Sequence, residues 1–151
     1  MSIFNSFNIN SSGMTAERYR MDIISENVAN QNTTRTADGT PYRRKVVTFE
    51  ERGERVGSFS SFLGNASSAY RGKGVKVGKV MEDNWTQMNM VYDPSHPDAD
   101  ENGYVLYPNV NIVTEMTNLI DASRSYEANA TAFNASKSIA MKGLEMGNGA
   151  Q

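Results

Sequence analysis

Apolar residues recur every seven positions at both ends of this 151-residue chain, and only the middle breaks the rhythm. The longest such stretch runs from Asn109 to Met146, contains no proline and has Gly143 as its one glycine. Ile112, Leu119, Tyr126, Phe133 and Ala140 follow one another at a spacing of seven. Met116, Ala130 and Leu144 each fall four residues after a member of that series, on the same side of a helix, and Val113, Ile120 and Met141 widen the stripe. This pattern predicts one long helix with a seam for partner helices. At 1.5 Å per residue it would be roughly 57 Å long. Helices of that length without internal caps belong to coiled coils or assemblies.

Residues 3 to about 31 carry the second helical pattern, with Phe7, Met14, Met21 and Val28 again spaced by seven and Ile3 and Ile24 beside them. Gly13 and the Asn10-Ser11-Ser12 cluster predict a kink, or a late start near Thr15. The run ends in ENVANQNTTRTADGTP, where Asn, Thr, Asp38-Gly39 and Pro41 all oppose helix. Matching seams predict that the two ends of the chain pair with each other; the alternative is that each packs on the middle.

The middle reads as strands and turns. Pro41 to Glu51 is a β candidate; Val75, Val77 and Val80 mark a second; Met88, Met90 and Tyr92 alternate into a third. Tyr104 to Tyr107 is a short fourth, closed by Pro108, and Asp93 to Gly103 is a turn-rich loop containing Pro94 and Pro97. Residues 52–73 are rich in Gly and Ser, with Phe59, Phe62, Leu63 and Tyr70 in no period, which predicts a mobile loop or one that orders against a partner. The expected fold is α+β. Residues 1–34 and 109–147 form a discontinuous helical assembly domain, pairing as a coiled-coil-like unit. A small β module of residues 35–108 is inserted between them.

Composition sharpens this picture. Apolar content is 38% and mean hydropathy −0.55, low for a chain that must bury a large core by itself. Net charge is −2 with no basic block, so nucleic acid is a poor partner. The absence of cysteine excludes disulfides, thiolate metal sites and cysteine nucleophiles. MSIFNSFNINSSGMT lacks a basic n-region and an apolar run, so no Sec-type signal peptide is expected. No apolar run reaches the length of a membrane span. By these rules alone the protein is soluble and stays in the cytoplasm unless another export route takes it.

Candidate chemistry is thin. His96, the one histidine, could be paired with Asp93 or Asp98 as base and orienter, but it sits between two prolines with no G-x-S-x-G and no cysteine nearby. Asp98-Ala99-Asp100-Glu101-Asn102-Gly103 matches the first six positions of an EF-hand loop. The twelfth position would be Asn109, where a bidentate Glu is required, and Pro94 and Pro97 stand where the incoming helix should be. A calcium- or metal-binding module at Asp98–Gly103 is the alternative reading, and a solvated acidic turn the preferred one. Gly72-Lys73-Gly74 lacks the rest of a phosphate loop. No catalytic residue, metal or cofactor is expected.

The seam could serve only an internal core. Against that, thirteen of the twenty residues from Asp121 to Ala140 are Ala, Ser, Thr or Asn, so few charges are left for a solvated face. Small side chains allow close approach from several sides, so this helix is expected to be buried in a multi-subunit packing.

Two short motifs now carry a family likeness. Ala29-Asn30-Gln31-Asn32-Thr33 resembles the A-N-x-N-T signature of flagellar axial proteins, and Tyr126-Glu127-Ala128-Asn129 resembles the Y-E-A-N element of their C-terminal helix. The run from Tyr92 to Met116 is similar to that of the proximal rod members, and the chain length fits, since distal rod and hook proteins are longer. Residues 52–73 carry no motif. The resemblance implies passage through the flagellar type III export apparatus without a cleaved signal, with the ends disordered until assembly. It then implies helical polymerisation in the periplasm with further copies, other proximal rod proteins and the distal rod protein. The terminal helices would line the export channel of the drive shaft, and the middle module would face outward. The residues expected to make assembly contacts are Phe7, Met14, Met21, Val28, Asn30 and Asn32 at one end, and Ile112, Leu119, Tyr126, Asn129, Phe133 and Leu144 at the other.

Overall fold

The computed structural model describes residues 3–53 and 73–148; most of the loop expected at 52–73 lies outside the described residues. Helix α1 (Ile3–Ala29) has 27 residues and runs unbroken through Gly13. The kink or late start expected near Thr15 is therefore corrected. The residues that weaken a free helix are used here as contacts. Ser12 turns its hydroxyl back to donate to the Ile9 carbonyl at 2.7 Å and accepts the Val75 N–H at 3.1 Å. Gly13 leaves room for Asn129 of the opposite helix. Packing thus offsets the roughly 1 kcal/mol that glycine costs a helix interior.

The second helix, α2 (Ile112–Asn148), has 37 residues, a length of about 56 Å. Asn111 caps it: its Oδ1 accepts the Thr114 N–H at 3.1 Å, and its carbonyl accepts the Glu115 N–H at 2.9 Å. The helices pair antiparallel. Phe7 stacks on Phe133 with ring centroids 4.9 Å apart, Gly13 faces Asn129, and Asn27 bonds Glu115 at 3.0 Å. The face of α2 turned towards α1 steps through Glu115, Leu119, Ala122, Tyr126, Asn129, Phe133, Ser136 and Ala140, all buried or half-buried. These alternating steps of four and three are the spacing of a coiled-coil seam. One row of the seam is the one that the periodicity marks. The other is Glu115, Ala122, Asn129 and Ser136, one residue before the expected Met116 and Ala130, because small and polar side chains let the helices approach closely.

Between the helices lie two antiparallel hairpins. Strand β1 (Lys45–Glu51) pairs with β2 (Val75–Glu82) from Lys45↔Glu82 to Glu51↔Val75, with a register shift between Val47 and Phe49. Strand β3 (Asn89–Tyr92) pairs with β4 (Tyr104–Tyr107) from Asn89↔Tyr107 to Tyr92↔Tyr104. A two-stranded sheet is marginal alone, and β1 and β2 gain support by packing on α1. Gly74, at φ +93°, lies so close to Ser12 that a side chain there would collide with its hydroxyl. Val105 of β4 is fully buried. The architecture is α+β: two long helices flanking a small module of antiparallel strands.

Candidate functional site

Where the helical hairpin meets the strand module, the chain buries a polar cluster. Asn27 in the last turns of α1 accepts at Oδ1 from Tyr42 OH (2.9 Å) and the Lys45 N–H (2.8 Å). Its Nδ2 donates to the Lys45 carbonyl (2.9 Å) and to Glu115 Oε2 (3.0 Å). Arg44 Nε donates to Glu115 Oε1 at 2.8 Å, and the same guanidinium lies 3.6 Å from Asp83 Oδ2. Asn109 bridges the two sides. Its Oδ1 accepts the Arg44 N–H at 2.9 Å, and its Nδ2 donates to the carbonyls of Asp83 (2.8 Å) and Thr86 (3.2 Å). Asn27 and Glu115 are wholly buried, and Asp83, Asn109 and Tyr42 nearly so.

Burial on this scale requires full hydrogen bonding, because a stranded polar group costs roughly 1–3 kcal/mol. Every side chain of the cluster has partners, which fixes how the strand module sits on the hairpin. Burial, then the charges of Glu26, Glu115 and Glu82, push the Tyr42 phenol up to about 12. Burial also acts to raise the Asp83 carboxyl. Hydrogen bonds from the Thr86 backbone and hydroxyl and the Trp85 backbone, with the Arg44 charge, outweigh it and leave Asp83 below its ordinary value. None of these residues stands out in the sequence. The available signals were a carboxylate, Glu115, inside an apolar stripe, and an arginine, Arg44, at the start of a strand.

The Asn-rich element closes α1. Asn30 Nδ2 donates to the Glu26 carbonyl (3.0 Å) and its Oδ1 accepts from Thr33 Oγ1 (3.1 Å), so this asparagine ends the helix and builds the turn after it. Asn32 is exposed beside Gln31. Thr34 Oγ1 (2.8 Å) and Arg35 (3.4 Å) hold the carboxylate of Asp98. Asp100 Oδ1 accepts the N–H groups of Asn102 (2.9 Å) and Tyr104 (2.7 Å), and Gly103 turns at φ +81°. Asp98–Gly103 is thus a hydrogen-bonded turn tied through Asp98 to Thr34 and Arg35. Among the described residues no group of three or more His, Asp or Glu side chains is placed to hold a metal. The Nδ1 of His96 accepts the Asp98 N–H at 3.1 Å, a local turn contact.

The structure brings together Phe7 with Phe133, and the Gly13 backbone with Asn129; Met14, Met21, Val28, Leu119 and Tyr126 are half-buried along the hairpin. Ile112 and Leu144 are left exposed, at opposite ends of α2. Ile112, Val113, Met116 and Ile120 form an exposed apolar stripe at its beginning, and Ile139, Met141, Leu144 and Met146 are exposed on both sides of its end. What the molecule offers is a long helical pair with a fixed side module and uncovered apolar ends.

Residues 7–35 match the family described as "Flagella basal body rod protein", and residues 101–146 match "Flagellar basal body rod FlgEFG protein C-terminal". The chain is 48% identical to the flagellar basal-body rod protein FlgC of Bacillus subtilis, over 97% of this chain and 99% of that one. It is 44% identical to FlgC of Borreliella burgdorferi over 92% and 93% of the two chains, and 37% identical to that of Salmonella typhimurium over 97% and 99%.

Proposed function

The chain belongs to the FlgC family of flagellar basal-body rod proteins, and from that membership we propose that it is a structural subunit of the rod whose paired terminal helices do the assembling. The observation that carries this reading is identity of 48% across nearly the whole length of a rod protein, both helices included. A physical reason supports it: α2 outruns α1 by ten residues (37 against 27), so among the described residues part of it extends past its partner helix.

The finer reading is helical polymerisation in the proximal rod, with α1 and α2 as staves around an export channel and the strand module outward. Head-to-tail contacts that do not close into a ring generate such filaments. In this reading residues 1–34 and 109–147 act as the assembly domain, and residues 35–108 as the side module. The contacts would come from Phe7, Met14, Met21, Val28, Asn30 and Asn32 at one end and from Ile112, Leu119, Tyr126, Asn129, Phe133 and Leu144 at the other. Export through the flagellar type III apparatus without a cleaved signal, into the periplasm, suits a chain in which, among the described residues, no helix is long and apolar enough to cross a membrane. Its neighbours would be further copies and the other rod proteins. Load would be shared among many packed helices, and no chemistry at a bond is needed.

Deletion tests this. The expected result is a cell with the membrane ring of the basal body but no hook or filament, restored by the gene in trans. Purified basal bodies that lack the chain while remaining complete would overturn it.

A further inference from the structure

We propose that the two exposed apolar ends of α2 are complementary halves of one head-to-tail contact. The groove beside Ile112 and Val113 receives the last turns of the C-terminal rod helix of the next subunit along the rod. The proposal rests on the rod-subunit reading and assigns the surface by which that subunit is joined to its neighbour.

The register of the hairpin makes the case. Asn27, near the end of α1, bonds Glu115, the fourth residue of α2, so the two helices are level at that end. The ten extra residues of α2 therefore fall at its C-terminal end, past Ile3, the first described residue of α1. There Ile139, Met141, Leu144 and Met146 are 53–69% exposed. Along the described part of α2, large apolar side chains are exposed only before Asp121 and from Ile139 onward. The intervening exposed surface carries small, polar and charged residues. Uncovered apolar surface on this helix is thus confined to its two ends.

At the opposite end a groove of about 700 Å³ is lined by Met90, Val91, Ile112 and Val113, with an amide rim that includes Gln31 and Asn32. Val113 is 75% exposed, and Met116 and Ile120 continue the apolar surface one and two turns on. The groove and the overhang lie roughly 46 Å apart on one helix axis, so one molecule cannot join them. A neighbour displaced along that axis can, and a contact between two different patches propagates without closing.

The chemistry is matched. Methionine on both sides adapts to an imperfect surface, and the amide rim offers donors and acceptors to the exposed Lys142–Glu145 pair (2.9 Å) carried on the overhang. The occupant is a C-terminal rod helix because the family match at 101–146 reaches through this same overhang. Rod proteins that share the element carry the corresponding helix end.

The test uses the assembled rod. A photo-crosslinking residue replaces Val113, basal bodies are purified and irradiated, and the crosslinked peptide is sequenced. The expected partner peptide comes from the last three turns of a rod subunit's C-terminal helix. A crosslink to a neighbour's N-terminal helix or strand module overturns the proposal, as does no crosslink in basal bodies that contain the chain. Those results leave the rod-subunit reading standing, whereas absence of the unsubstituted chain from basal bodies would sink that reading instead. Val113→Asp and Leu144→Asp, both at exposed positions, are each expected to cut incorporation at least tenfold while the subunit is still made and exported. Val113→Ile and Leu144→Met are expected to assemble normally, and normal incorporation of both Asp variants also overturns the contact.

Discussion

The amide of Asn129 fills the space that Gly13 leaves open: a Cβ at position 13 would lie 2.8 Å from Asn129 Oδ1 and 2.9 Å from its Cγ. Asn129 is itself held by a bond from Nδ2 to the Ser125 carbonyl at 2.9 Å, so it cannot swing away freely. Gly13→Ala therefore sets two effects against each other. Alanine favours the isolated helix by about 1 kcal/mol, while overpacking a tight contact costs about 1–3 kcal/mol. The second wins here, and the variant is expected to unfold at a lower urea concentration than the parent. Adding Asn129→Ala should restore the midpoint, because it removes the obstructing amide. A stabilised single variant would mean that the helices stand farther apart at this level.

The same pair shows what the sequence could and could not tell. Heptad spacing reveals the row Leu119, Tyr126 and Phe133, because apolar periodicity is what a buried helix face leaves in a sequence. The companion row of Glu115, Ala122, Asn129 and Ser136 is small or polar and gives no such signal. Gly13 looked like a helix breaker because local propensity says so; only the partner helix turns it into a contact. The four strands were legible from alternation and their bounding turns. The polar junction was not, since Asn27, Arg44, Asp83 and Asn109 are scattered along the chain and ordinary in their local context. Their meaning lies in long-range hydrogen bonds such as Asn27 to Glu115, eighty-eight residues apart.

Glu115 is the keystone of that junction. Replacing it with Leu removes the partner of Arg44 Nε and one acceptor of Asn27 Nδ2, leaving a largely buried guanidinium with Asp83 alone. Breaking a buried pair from one side costs about 3–5 kcal/mol. Glu115→Leu is expected to lose stability on that scale in denaturant titration. Glu115→Gln, which keeps an acceptor for Arg44 and the shape of the site, should lose clearly less. Equal losses would show that the negative charge at 115, absent from both variants, carries the stabilisation, and that the hydrogen bond and shape kept by Gln add nothing.

Two carboxylates give opposite pH signatures. Asp83 lies below its ordinary 3.8 in the folded chain. Its contribution is complete above that value and is lost as pH falls through the folded pKa. Asp83→Asn should therefore flatten the acid limb of the stability profile. Glu17 is shifted the other way. Burial raises it above its ordinary 4.5 against the lowering effect of Arg20, 3.8 Å away, and its buried Oε2 has no hydrogen-bond partner among the described residues. Its contribution is complete below 4.5 and disappears as pH rises through the raised value. Glu17→Gln should consequently match the parent in acid and exceed it at neutral pH, because the amide carries no charge to desolvate. Thermal melts of both variants across pH check the two signs independently.

Phe133 and Leu119 test whether the seam itself is what assembly needs. Phe133 packs on Phe7 with ring centroids 4.9 Å apart, and Leu119 is half-buried on the face of α2 turned towards α1. Aspartate at either site puts a carboxylate into the contact between α1 and α2. Desolvating that charge disfavours pairing of α1 with α2, and an unpaired hairpin cannot present either apolar end in register to a neighbour. Phe133→Asp and Leu119→Asp are expected to abolish motility, with the subunit still synthesised but missing from basal bodies. Phe133→Leu, which keeps an apolar side chain of lower volume, should retain partial motility. A fully motile strain carrying either aspartate would show that the rod assembles without the α1–α2 seam.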